Sequence, residues 1–316
     1  MRVFIVSAQG DLAPMTRKLL SEGHDAVMYI RDKVYRRYIE PDIPLVKSPT
    51  VEAVSSGLLV IDDPEAGKFA DKARSLNRFV IGGGEVPTRL AMDSDFNERS
   101  LHGCGFNIAN PDKTEGVLVE VGGWFDGEKY LRPHFLGFKK FRLGTGDVGP
   151  FTVGMGVAGK YVTKSRLFTD VLRKTETFAK TMHYVGYVGI DGFINQNSFS
   201  ALRLNAGFAF PTAGALGELH PTWSTFMLKL AKKEAEVVAV QPDKVVVGVT
   251  VLPHSYFENL HEPHFPFCAS GQNIEEAKAK VYKSIGKANI PNGYYRIDIG
   301  DDFVKNLDIL KRGDWL

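Results

Sequence analysis

Residues 144 to 156 read Gly-Thr-Gly-Asp-Val-Gly-Pro-Phe-Thr-Val-Gly-Met-Gly, five glycines and a proline in thirteen positions. That composition argues against a helix or a central strand. The glycines alternate with Asp147, Thr152 and Met155 instead of the serines of a linker, which predicts a backbone shaped around a polar ligand. Further on, Asp191 and Asn205 stand fourteen residues apart across the short polar connection Asn195-Gln-Asn-Ser, so neighbouring strands can turn their oxygens towards one cation. His254, His261 and His264 gather near Cys268, but Pro263 and Pro266 interrupt any helix there, and the stretch reads as a structural loop.

Positioning those residues requires an α/β chain. Val3 to Ser7 is an apolar run that ends in the turn Ala8-Gln-Gly-Asp11, and an amphipathic stretch follows from about Ala13 to Glu22. The lone Gly10 is no dinucleotide fingerprint. Apolar runs return at Ala26 to Ile30, Leu58 to Ile61 and Arg78 to Gly84, with Pro64 suited to the first turn of a helix. Strands alternating with helices predict a parallel, doubly covered sheet over residues 1 to 87, with ligands beyond its carboxyl ends. Residues 88 to 115 lose periodicity and read as loop. From Gly116 an antiparallel region begins, with a tight turn at Asp126-Gly127, a helical stretch at 163 to 182, a hairpin over 184 to 205, and a helical pattern at 213 to 236. Residues 244 to 300 read as strands plus an amphipathic helix at 273 to 285.

Composition narrows the classes. The 316 residues are 44% hydrophobic and 24% charged, with 39 Lys plus Arg against 37 Asp plus Glu, which excludes a disordered chain or a general polyanion binder. Nucleic-acid contact is not expected, because no basic stripe stands out. No apolar run approaches the roughly 20 residues that span a bilayer. Two distant cysteines, Cys104 and Cys268, form neither a disulfide framework nor a zinc cage and suggest a reducing cytoplasm.

The stretch from Arg142 to Gly156, with its pattern GDxGPxTxGMG, resembles the substrate loop of the phosphoribosylamine-glycine ligase family of purine synthesis. Other stretches fall in that family's order: Leu58-Leu-Val-Ile with Pro64-Glu65-Ala66, Leu204-Asn205 with Phe208 and Pro211, and Ile274-Glu-Glu-Ala with Tyr295-Arg-Ile-Asp-Ile-Gly300. The resemblance implies an ATP-grasp fold: a Rossmann-like first domain (1–87), a shortened ATP-grasp domain (88–240) and a small β-rich C-terminal domain (241–316). It implies Asp147 and Arg142 as catalytic residues, and Pro64, Glu65, Gly149, Thr152, Gly154, Met155, Gly156 and Arg203 as substrate-binding residues. Glu120, Val121 and Glu128 would line the nucleotide, with Asp191 and Asn205 at the metal. The activity implied is ATP- and Mg²⁺-dependent ligation of an amino acid, glycine in the family, to an amine on a phosphoribosyl or nucleotide acceptor.

Two departures alter that expectation. The family's phosphate-gripping subdomain, with its lysines, has no room in residues 88 to 116, leaving Lys113, Lys139, Lys140 and Arg142 as the nearest cations. At the metal strand the family's Glu is replaced by Arg203, which weakens the case for Mg²⁺ and ATP. Two alternatives to ligation therefore stand beside it: a non-catalytic binder of a phosphoribosyl compound or nucleotide, and amino-acid transfer to a modified nucleotide or DNA base.

Overall fold

An apolar run followed by a glycine-bearing turn and an amphipathic segment folds as strand, turn and helix, and the N-terminal segment repeats that unit. The structure, a computed structural model, describes residues 1–39, 41–208, 211–241, 243–253, 264–288, 290 and 292–316. Strands β1 (Arg2–Ser7), β2 (Asp25–Ile30), β3 (Leu58–Ile61) and β4 (Val80–Gly82) pair in parallel in the order β2-β1-β3-β4. Helices α1 (Ala13–Ser21), α2 (Pro49–Ser55) and α3 (Gly67–Ser75) alternate with them. All of β3 is buried, as a strand covered on both faces must be. Pro64 lies in a turn ahead of α3 rather than within the helix, and there the Asp63 carboxylate accepts the Glu65 amide at 2.9 Å.

Residues 88 to 115 are not a loop. Helices α4 (Glu85–Met92) and α5 (Ser94–Gly103) occupy the segment, followed by the two-residue strand β5 (Asn107–Ile108). Each helix buries only a narrow stripe, and in α5 that stripe includes Asn97 and Ser100, so the apolar period is hidden by polar residues. Asn97 is held by three bonds: its amide donates to the carbonyls of Leu90 (2.8 Å) and Leu204 (2.7 Å), and its oxygen accepts the Leu204 amide at 3.0 Å. Asp93 caps α5 by accepting the Phe96 amide.

The second sheet contains β6 (Val117–Phe125), β7 (His134–Gly144), β8 (Val148–Val162), β9 (Gly186–Ile194), β10 (Phe199–Ala206), β11 (Val245–Val251) and β12 (Phe265–Gly271). Its order is β12-β11-β8-β7-β6-β9-β10-β5, antiparallel except for β5 beside β10. The glycine-rich stretch is therefore a strand, contrary to its composition. Gly144 pairs with Val148 and Arg142 with Phe151, then Lys140 with Gly156, with a register shift at each step. The glycines serve those irregularities, for Gly149 and Gly154 adopt φ of +83° and +143°. At Gly156, where β11 joins, a Cβ would stand 2.7 Å from the Gly248 carbonyl.

Both longer helical expectations are divided. Residues 163 to 182 form α6 (Arg166–Asp170), a 3₁₀ turn and α7 (Glu176–Thr181), while 213 to 236 form α8 (Thr212–Leu219) and α9 (Trp223–Ala231) with Pro221 between. Glu22, at the end of α1, accepts the Trp223 and Ser224 amides at 2.8 and 3.0 Å and so joins α1 to the start of α9. The segment from 241 adds β11 and β12 to the large sheet and carries α10 (Ile274–Ala288) and α11 (Phe303–Arg312). Among the described residues no helix is long and apolar enough to cross a membrane.

Replacing Asn97 by Ala leaves buried carbonyls of α4 and β10 and the Leu204 amide without a partner. Urea titration should show a loss of about 2–4 kcal/mol; a change within about 0.5 kcal/mol would show that other contacts hold α4 and α5 to the sheet.

Candidate functional site

Four adjacent strands each place one charged side chain in a row. Glu120 (β6) sits in register between Gly137 of β7 and Asp191 of β9, and Asp191 is opposite Arg203 of β10. Two carboxylates side by side on neighbouring strands repel unless a cation lies between them. Lys139, two residues along β7 from Gly137, is that cation: its Nζ is 2.7 Å from Glu120 Oε2 and 2.8 Å from Asp191 Oδ1, with all three side chains buried. Asp191 Oδ2 accepts from Arg203 Nη2 at 3.0 Å and from Asn205 Nδ2 at 3.2 Å. Tyr187 donates to Glu120 Oε1 at 2.7 Å, and Thr212 donates to Oε2.

Glycine makes room for this row. Gly122 and Gly189 face each other across β6 and β9; a Cβ on Gly122 would lie 1.7 Å from the Tyr187 hydroxyl, and one on Gly189 would lie 2.7 Å from Glu120 Oε1. Burial pushes the Asp191 carboxyl up, but the charges of Lys139 and Arg203 outweigh it and hold the group below its ordinary range.

Arg203 is the member of the row that reaches open space. Its side chain is 38% exposed and lines a cleft of about 410 Å³ between the carboxyl ends of β1 and β3 on one wall and the end of β10 on the other. The first wall carries Asp11, Asp62, Asp63, Pro64 and Glu65; the second carries Arg203, Asn205 and Phe208. Val153 of β8 and Met92 of α4 also line it. Arg31 neutralises part of the acidic wall, standing 3.3 Å from Asp63 and pairing with Glu65. Asp62 takes a hydrogen bond from Ser7 at 2.9 Å. Its carboxyl is pushed well above the ordinary range, first by burial and then by the nearby charge of Asp11. Asp11 is raised by burial too, against the opposing charge of His264, whose Nε2 lies 3.7 Å away.

The cleft brings together Pro64, Glu65, Arg203 and Asn205. Other expected site residues lie elsewhere. Asp147 is engaged by Lys140 at 2.6 Å and Arg296 at 2.7 Å, and Arg142 by Asp112 at 2.6 Å and the Gly149 carbonyl at 2.8 Å, so both serve the β7–β8 tip instead of the cleft. Thr152 donates to the Phe141 carbonyl and accepts the Gly154 amide, Met155 is buried, and Gly149, Gly154 and Gly156 shape the strand; of this stretch Val153 is the residue on the cleft wall. Glu120 and Val121 have no exposed surface, and Glu128 lies at the β6–β7 turn, 3.4 Å from Lys233. His254 and His261 lie outside the described residues. The sequence reading missed Asp11, Asp62 and Asp63, although the doubled aspartate directly after the apolar run Leu58 to Ile61 marks a strand's carboxyl end.

Asp191 and Asn205 meet across the hairpin, but Asn205 donates its amide to Asp191 at 3.2 Å, and Asp191 is paired with Lys139 and Arg203. A divalent cation there would meet a buried ammonium and a guanidinium, so the residues present do not fit Mg²⁺. Among the described residues no group of three or more His, Cys, Asp or Glu side chains is arranged to hold a metal ion.

Solved structures share the fold. Phosphoribosylamine–glycine ligase from Thermotoga maritima is similar over 95% of this chain and 100% of its own, with a TM-score of 0.68 and 16% identity. The ATPase subunit of phosphoribosylaminoimidazole carboxylase from Aquifex aeolicus matches over 90% and 99%, at 0.62 and 12%. An ATP-grasp superfamily protein from Archaeoglobus fulgidus matches over 79% and 92%, at 0.53 and 12%. This chain has an ATP-grasp fold. At these identities the likeness reaches the fold and stops there. No family model matches the sequence, and no curated protein matches it.

Lys139→Met removes the shared cation and leaves Glu120 and Asp191 facing each other in the sheet, which should lower stability by about 3–5 kcal/mol. The contribution of Asp191, whose carboxyl is held low, is present above the ordinary range near 3.8 and is lost as pH falls through its lower folded value. In Lys139→Met the stability deficit should therefore shrink as Asp191 takes up a proton in acid. A deficit that denaturant titrations find unchanged from neutral pH to well below 3.8 would argue against the shared cation.

Proposed function

We propose that this ATP-grasp chain is a binding protein for a small amine-bearing phosphoribosyl compound or nucleotide, and that it works without metal-dependent turnover of ATP. The observation that carries the reading is the pairing of Asp191 with Lys139 and Arg203, with the Asn205 amide turned onto the same carboxylate. Phosphoryl transfer needs mobile or metal cations at the transferring group, whereas here the cations are committed to buried carboxylates. The walls of the cleft differ in charge. An amine fits against Asp11 and Asp62, which have no arginine or lysine partner among the described residues, and a phosphate fits against Arg203, whose Nη1 makes no hydrogen bond among the described residues.

A second reading, ATP-dependent joining of an amino acid to an amine, is supported by the likeness to phosphoribosylamine–glycine ligase and by the GDxGPxTxGMG stretch. Under this reading ATP would lie against β6 and β7, with Mg²⁺ entering only if Arg203 swung away. Transfer to a base in nucleic acid has no supporting feature in the cleft, whose first wall is acidic.

Melting curves separate the two. Glycinamide ribonucleotide or ribose 5-phosphate without metal should stabilise the protein, by about 2.7 kcal/mol at a hundred times the dissociation constant, and ATP with Mg²⁺ should add nothing. A Mg²⁺-dependent shift with ATP would transfer the case to ligation. No shift with either phosphoribosyl compound would sink the binding reading.

A further inference from the structure

Arg296 has no exposed surface, yet none of its hydrogen bonds goes to the buried row. Its Nε and Nη2 donate to the two oxygens of Asp298 at 2.8 and 2.5 Å, and its Nη1 donates to Asp147 Oδ1 at 2.7 Å and to the Arg142 carbonyl at 3.0 Å. One planar group thus ties the C-terminal segment to both sides of the β7–β8 turn, a geometry that the guanidinium fork allows and an ammonium does not. The turn is held elsewhere along the same line. Lys140 bridges Asp147 and Asp302 at 2.6 and 3.0 Å, Asp298 accepts the Gly146 amide at 3.0 Å, and the Tyr294 hydroxyl donates to the Leu143 carbonyl at 3.0 Å. Asp147 has a φ of +60°, a left-handed backbone that aspartate and asparagine tolerate better than other side chains. Burial would raise its carboxyl, but the hydrogen bonds from Lys140 and Arg296 hold it below the ordinary range.

The turn needs such a hold because the sheet supplies little there. β11 pairs with β8 only from Gly156 onward, so residues 148 to 153 are laddered to β7 alone, across two register shifts. Val148 and Val153 are 61% and 55% exposed. Val153 is also the cleft residue contributed by this strand.

We propose that Arg296 is a positioning residue: through Asp147 it latches the β7–β8 turn to the C-terminal segment and so sets where Val153 stands on the cleft wall. The latch acts on the wall whatever ligand the cleft takes, so it can fail or hold independently of the proposed function. Backbone amide hydrogen exchange on the full chain tests it. Asp147→Asn removes the charge and keeps a residue tolerant of the left-handed backbone, and Arg296→Lys keeps a charge but loses the fork. In each variant, exchange over residues 144 to 153 should quicken about tenfold while β11 and α10 stay as in the parent. The double variant should quicken by less than the product of the two single effects, because both changes break the Arg296–Asp147 contact. Parental exchange at 144 to 153 in both single variants would overturn the latch. So would quickening spread equally over β11 and α10, or loss of the fold in both, since the pair would then be a general folding element.

Discussion

The ammonium of Lys139 between Glu120 and Asp191 is the interaction on which the large sheet depends. Two carboxylates in register on adjacent buried strands would repel across a low-dielectric interior, and the strands could not pair with both ionised. One cation shared at 2.7 and 2.8 Å allows the pairing, and its position dictates much of the neighbourhood. Gly122 and Gly189 are glycine because the Tyr187 hydroxyl and the Glu120 carboxylate occupy the space where their side chains would be. Thr212 stands at the start of α8 with its hydroxyl on Glu120. Arg203 completes the row from β10, and with it the balance of two positive and two negative charges.

That commitment shapes the cleft. Where the resemblance places a carboxylate and an open metal site, this chain has a guanidinium on the cleft wall whose Nε and Nη2 are bonded to Asp191. Across from it, the ends of β1 and β3 present Asp11, Asp62 and Asp63, of which Asp63 is near Arg31. Parallel strands end with their side chains and turn residues at one edge, so a ligand there meets charges from several strands at once. The polarity of the cleft, acidic on one wall and basic on the other, follows from which strand ends face each other, and suits a molecule with opposite charges at its two ends.

The glycine-rich stretch shows how far local composition can mislead. Its five glycines mark a strand with two register shifts and a latched turn, because a long hairpin that changes register needs residues free to take positive φ. Asp147 and Arg142, the residues in it with the most reactive groups, hold that geometry, while the apolar Val153 is the one that meets the cleft. The same limit applied to residues 88 to 115, where buried Asn97 and Ser100 concealed two helices whose polar groups are satisfied by β10 and by the helix itself.

The parallel α/β sheet of the N-terminal segment was legible in the sequence alone, since apolar runs of strand length followed by turn residues and amphipathic stretches report burial on two faces, a local property. So was the antiparallel pairing of β9 with β10, because a short polar connection leaves adjacent strands no other arrangement, and with it the approach of Asp191 to Asn205. Tertiary structure alone decided what fills the space between them. Lys139 lies 52 residues from Asp191 in the chain and reads there as one of several surface cations; it becomes the centre of the site only when β7 is laid beside β6 and β6 beside β9. Electrostatic pairing in a buried sheet depends on strand order and register, and neither is encoded in the spacing of charges along one strand.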